Sequence, residues 1–129
     1  MKGWLMYIGE VSATTGASKK AIRYYESLGL LPTVNRKGTY RVYEDSDVIM
    51  IRLIMHAKAL GFKLSELSPL LKEISNRSSS AIDSAYRLIA KKQSQLELEL
   101  ANIHHKISDL ELLNNNVGRL LDESFNLRK

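Results

Sequence analysis

The sequence predicts a mostly α-helical protein: a winged helix-turn-helix DNA-binding domain followed by a long coiled-coil dimerisation helix. Three observations predict it. Two short amphipathic segments near the start meet at a glycine-containing break, Thr14-Thr15-Gly16-Ala17. Six basic residues, Lys19, Lys20, Arg23, Arg36, Lys37 and Arg41, crowd the stretch from Ser18 to Arg41 against a single acid, Glu26. From Ile82 onward, apolar residues recur at alternating steps of four and three as far as Leu121.

In the first segment, Ile8 and Val11 lie three apart, the spacing of one helical face. Gly16 then breaks the pattern, and Ser18 offers the side-chain oxygen that caps a new helix. In that second helix Ile22 and Tyr25 share the apolar side, while Lys19, Lys20, Arg23 and Tyr24 fall largely on the other. Two helices in this relation form a helix-turn-helix, whose second helix enters the major groove. The bland alternative is a helical hairpin with a solvated basic face.

Gly29 reads as a helix end, and Pro32 blocks continuation. Thr33 to Tyr43 then reads as a hairpin. Val34 and Tyr40-Arg41-Val42-Tyr43 are strand-like, and Asn35-Arg36-Lys37-Gly38 supplies the turn. A basic-tipped ribbon after a recognition helix is a wing; an ordinary surface hairpin is the alternative. Glu44-Asp45-Ser46-Asp47 is helix-start chemistry. The helix it opens, Val48 to Leu60, is apolar enough to predict burial on more than one side, with Gly61 ending it. The next helix, Lys63 to Ile74, leaves two readings of Pro69. With Lys63 as cap, Pro69 lies in the second turn and removes a donor; with Ser68 as cap, it takes the favoured first position.

Asn76 to Ser80 is linker-like. Beyond it the heptad seam runs through Ile82, Tyr86, Ile89, Gln93, Leu96, Leu100, Ile103, Ile107, Leu110, Asn114, Val117 and Leu121. A seam this long cannot bury itself on one solvated helix, and nothing else in the chain is long enough to cover it. A homodimer through this helix follows, the alternative being packing back along its own domain. Asn114-Asn115-Asn116-Val117-Gly118 is the expected end of the helix. The predicted organisation is therefore residues 6–75 for DNA binding, 80–113 for dimerisation and 114–129 as a short tail.

The 129 residues suit one domain plus an extended element. A formal charge of +5 and a pI near 9.5 permit a nucleic-acid partner without requiring one. The absence of cysteine excludes disulfides, thiolate metal sites and a thiol nucleophile within these residues. No apolar run is long enough to span a membrane, and Met1 to Met6 is too short for a signal peptide. Met6 is an alternative natural start, and the cytoplasm is the default location.

The chain resembles the MerR family of bacterial transcription regulators. The matching residues are Ile8-Gly-Glu-Val-Ser12, Thr15-Gly16, Ala21-Ile-Arg-Tyr-Tyr-Glu26, Gly29-Leu-Leu-Pro32, Tyr40-Arg-Val-Tyr43 and Ala57-Lys-Ala-Leu-Gly-Phe62. With the dimer helix they cover nearly the whole chain. The resemblance implies a winged-helix domain, dimerisation through an antiparallel coiled coil and a palindromic operator between overlong-spaced promoter elements. It further implies bending and untwisting of that DNA so that RNA polymerase engages it. Carried onto this chain, Ser18, Lys19, Lys20, Arg23 and Tyr24 would contact DNA from the recognition helix, and Arg36, Lys37, Tyr40 and Arg41 from the wing. Lys63 would add a phosphate contact at a second wing. Arg23 suits a bidentate bond to guanine, the lysines suit phosphate.

Three departures accompany the resemblance. Gly38-Thr39-Tyr40 stands where many members have Asn-Gly-Tyr, and Lys63 replaces a small capping residue. The family's thiol-based sensors use cysteines, absent here, and the residues after Asn116 are too few for its drug-binding domain. No cofactor or metal is expected. His104-His105 with Asp109 is the best metal candidate, but both histidines fall beside the seam as solvated residues. Gln93 and Asn114 are read as fixing register. An enzyme is excluded for want of any nucleophile–base set, phosphate loop or metal cluster. An architectural or excisionase-like protein that bends DNA without sensing anything is the second reading.

Overall fold

The computed structural model describes residues 5–31 and 35–127. The readings placed on Pro32, Thr33 and Val34, and on Met1 to Trp4, lie outside the described residues. So do the side chains of Arg36 and Lys37, whose backbone alone is described. The elements are β1 (Met6–Tyr7), α1 (Ile8–Thr15), α2 (Lys19–Ser27), β2 (Asn35–Lys37), β3 (Tyr40–Tyr43), α3 (Asp45–Ala59), α4 (Leu64–Ser75) and α5 (Ala81–Phe125). They divide into two compact units, residues 1–86 and 87–129.

In the first unit, α1, α2, α3, α4 and β3 each turn a face into one core. Val11, Ile22, Tyr25, Leu30, Tyr43, Ile51, Ile54 and Leu71 are almost wholly removed from water. Each contributes on the order of 1.5–3 kcal/mol through burial. The helix α3 departs from the expectation of burial on more than one side. Val48, Met50, Ile51 and Ile54 face the core, but Ile49 and Leu53 are exposed, because α1 and α4 cover only part of its circumference.

Three helices start with the same device. An acid at the third helical position reaches back to the backbone N–H that precedes the helix: Glu10 to Tyr7 (3.4 Å), Asp47 to Glu44 (2.9 Å) and Glu66 to Lys63 (2.9 Å). The last of these settles Pro69. The helix α4 begins at Leu64, so Pro69 lies in its second turn, tolerated there although it has no N–H to donate to the Ser65 carbonyl. Three helices also end alike, through a residue at positive φ with paired backbone bonds of the Schellman type. Gly29 does this after α2 and Gly61 after α3. After α4 the position is taken by Arg77 at φ 54°, a conformation that costs a side-chain-bearing residue about 1 kcal/mol.

The wing belongs to a three-stranded antiparallel sheet, ordered β1-β3-β2. Two features of it differ from the sequence expectation. First, Met6 and Tyr7 pair with Tyr43 and Val42, a strand that two residues could not announce. Second, Asn35, Arg36 and Lys37 are strand rather than turn, paired with Val42, Arg41 and Tyr40. The turn is Gly38-Thr39, with positive φ at Gly38 and not at Thr39. That is the pattern of a type II′ hairpin, in which the first central residue must be glycine.

The helix α5 runs unbroken through Asn114–Gly118, correcting the expected stop there. Asn and Gly each cost a helix interior only about 0.7–1 kcal/mol, too little to end a long one. Asn116 turns its amide back onto the Leu112 carbonyl at 2.8 Å, and Gly118 keeps negative φ. The left-handed residue comes after Phe125, at Asn126.

Candidate nucleic-acid interface

The turn between α1 and α2 is knitted by side chains. Ser12 Oγ donates to the Ala17 carbonyl at 2.6 Å, and Thr15 Oγ1 donates to the Val11 carbonyl at 2.7 Å while accepting from Ala17 N at 3.2 Å. Gly16 makes the bend at φ 81°, where a Cβ would be strained. Ser18 Oγ then caps α2 by accepting from Ala21 N at 3.0 Å. That bond uses a lone pair of Oγ to shape the helix start, and the hydroxyl proton is not spent in it.

Ile22 and Tyr25 root α2 in the core. The opposite face presents Lys19, Lys20, Arg23 and Tyr24 to solvent, each exposed. Tyr24 packs its ring against buried Tyr25 at a centroid distance of 6.5 Å, which braces an exposed aromatic on a fixed one. One helix thus carries three cations and a supported tyrosine outward, and no acid competes on that face.

The wing is fastened to this helix. Arg41 Nε donates to Glu26 Oε2 at 2.8 Å, and Tyr43 Oη donates to Glu26 Oε1 at 3.1 Å. The hydrogen bond and charge of Glu26 hold the Arg41 guanidinium firmly protonated. Burial, assisted by the charge of Glu26, pushes the Tyr43 hydroxyl up to about 12. Glu26, the one acid of the basic stretch, is therefore a strut, a role that charge counting along the sequence could not assign. Arg41, predicted to touch DNA, is committed at Nε to that strut. Tyr40 is exposed, and Lys63 stands exposed at the head of α4.

The predicted seam residues Ile82, Tyr86, Ile89, Leu96, Leu100, Ile103, Ile107 and Leu110 are 47–67% exposed in the single chain, and α5 buries none of its residues. Gln93 is exposed among them. His105 Nε2 lies 3.5 Å from Asp109, with both side chains solvated. Among the described residues, no group of three or more histidine or acidic side chains is placed to hold a metal ion. Nor is any described helix long and apolar enough to cross a membrane.

A helix-turn-helix with a basic second helix and a wing pinned to it defines a DNA-binding protein of the winged-helix class. Comparison with known proteins carries this further. The family model described as "MerR HTH family regulatory protein" matches residues 6–74, and a second, "MerR, DNA binding", matches residues 49–114. The chain belongs to the MerR family. It is 42% identical over 79 residues to "Heavy metal-dependent transcription regulator 2" of Rhizobium meliloti (60% of this chain, 54% of that protein). It thus spans about half the length of such curated relatives. A longer match, 32% identical over 116 residues, covers 90% of this chain and 84% of the regulator HmrR of Rhizobium leguminosarum. Among solved structures, HiNmlR, a MerR family regulator lacking the sensor domain and bound to promoter DNA, shares the fold. Its TM-score is 0.62 at 20% identity, over 89% of this chain and 87% of that one.

Proposed function

We propose that this chain is a dimeric, sequence-specific transcription regulator that binds a palindromic promoter operator and distorts the DNA to control transcription. The observation that carries the reading is the exposed face of α2, with Lys19, Lys20, Arg23 and Tyr24 outward on a helix fixed by Ile22, Tyr25 and the Glu26 strut. Two copies joined along α5 present two such helices, and two-fold symmetry calls for two half-sites. RNA polymerase is the further partner that the family implies, and a promoter target places the protein in the cytoplasm.

Within this reading Arg23 reads a base, while Lys19, Lys20, Lys37 and Lys63 hold phosphates. Tyr24, Arg36 and Tyr40 complete the contact surface, with Ser18 and Arg41 orienting its parts. Arg23→Ala is expected to lose the preference for the operator by about tenfold or more. Lys37→Ala is expected to weaken operator and random duplex alike and to reduce the salt slope by about 0.9. Titration of both duplexes by fluorescence anisotropy across a salt series tests this. Equal losses on the two duplexes for Arg23→Ala would remove the base-reading assignment.

With no cysteine among the 129 residues, thiolate recognition of a metal, such as the name of the Rhizobium meliloti relative invites, has no ligands here. The second reading, an architectural DNA-bending protein, draws on that same observation. Footprints away from promoters, with bending that leaves transcription unchanged, would favour it.

A further inference from the structure

The strand β1 brings a residue to the wing that no pattern in the sequence singles out. Tyr7 pairs with Val42 in the sheet, and on a twisted antiparallel ladder its side chain shares a face with Val42 and Tyr40. The rings of Tyr7 and Tyr40 meet edge to face, with centroids 5.7 Å apart and planes at 61°. Both stay exposed, at 45% and 67%. A pair of tyrosines that buries neither ring contributes little to a core, and aromatic pairs of this geometry fix each other's direction.

The position of this pair matters as much as its geometry. Two residues beyond Tyr7, the Lys19 side chain crosses the start of α1, its Cε 3.9 Å from the point where a Cβ on Gly9 would stand. The Lys19 side chain thus lies over the first turn of α1, two residues from Tyr7, and the Tyr7 ring in turn meets Tyr40, the first residue after the wing turn. Lys19, Tyr7 and Tyr40 come together in this chain of contacts from three separate elements. Neutral hydroxyl donors beside a lysine are the chemistry that grips the sugar–phosphate backbone: the lysine supplies charge, and the phenols supply directed hydrogen bonds that fix register.

From this we infer that Tyr7 is a DNA-contacting residue, its hydroxyl donating to a backbone phosphate between the recognition helix and the wing and its ring holding Tyr40 in place beside it. The assignment rests on the DNA-binding reading and extends it to a strand outside the helix-turn-helix. Being neutral, Tyr7 releases no counterion. Its loss therefore lowers affinity without changing the salt slope, which separates it from Lys19.

The test uses the full chain and two fluorescein-labelled duplexes of equal length, one from the promoter region of its own gene and one of random sequence. Tyr7→Phe keeps the ring and the strand, and is expected to melt as wild type does. It should bind both duplexes about three- to tenfold more weakly, with the salt slope retained. Tyr7→Ala should lose more, and Tyr40→Phe should cost less in that background than in the wild type. Tyr7→Phe binding within twofold of wild type on both duplexes would overturn the inference, as would a loss confined to the promoter duplex. A wild-type chain with no affinity for either duplex would overturn the DNA-binding reading itself, an outcome distinct from the other two.

Discussion

The elements from β1 to α4 and the long helix α5 solve the problem of apolar surface in opposite ways. The first unit hides Val11, Ile22, Tyr25, Leu30, Ile51 and Leu71 within one chain. The helix α5 hides nothing, although its seam is as apolar as that core: Leu100 and Ile103 are about half exposed. The contrast divides labour. One region is complete alone and holds a DNA-facing surface in fixed geometry. The other is incomplete alone, and in the proposed dimer a second copy along its seam makes it a stable element. In that proposed dimer specificity depends on both, since a single recognition helix reads one half-site and the seam supplies the second.

The sharpest way to break this comparison is to charge the seam. Leu100→Glu with Ile103→Glu is expected to convert the dimer to monomer in sedimentation equilibrium, at a cost of several kcal/mol for burying uncompensated carboxylates. Operator affinity should fall at least a hundredfold, while the near-ultraviolet circular dichroism of the first unit persists. Retention of the dimer would show that the seam is covered otherwise.

A smaller effect is expected inside the first unit, at Tyr43. Its hydroxyl is raised from 10.0 to about 12, so the folded chain holds that proton more tightly than the unfolded one. The stabilisation is complete below about pH 10 and is lost as pH rises toward about 12. Tyr43→Phe forfeits the bond to Glu26, costing about 1 kcal/mol at pH 8. Because the variant lacks this titration, urea melts should show that deficit shrinking to about zero by pH 11. A deficit that stays constant with pH would mean that the hydroxyl is not held neutral by its site.

Between the two regions lies Arg77. Replacing this left-handed residue with glycine is expected to stabilise the first unit by about 1 kcal/mol, by relieving φ 54° at the α4 terminus. Thermal unfolding measures it, and a loss of stability would assign the Arg77 side chain a role that outweighs the strain.

What was legible in the sequence follows the range of the interactions involved. The two helices around Gly16, the caps at Ser18 and Glu44, and the heptads after Ile82 are local patterns, readable without knowing what they pack against. The strand at Met6–Tyr7 has no periodicity; Tyr43 and Val42, which lie far along the chain, define it. The same holds for the Glu26 strut, whose partners come from β3. The end of α5 differs from the sequence expectation for another reason. Three asparagines and a glycine are weak local breakers, and the leucines and valine at 113, 117, 120 and 121 continue the apolar pattern through them. The wing turn shifted because Gly38 fixes the hairpin type, and with it which residues remain in the strands.

The most direct measurement is the affinity and footprint of the wild-type chain on its own promoter region, compared with duplexes in which one half-site is scrambled. A dimer presenting two copies of α2 predicts a two-fold symmetric footprint and at least a hundredfold loss when either half-site is destroyed. An asymmetric footprint, with a single half-site bound as tightly as the pair, would contradict it.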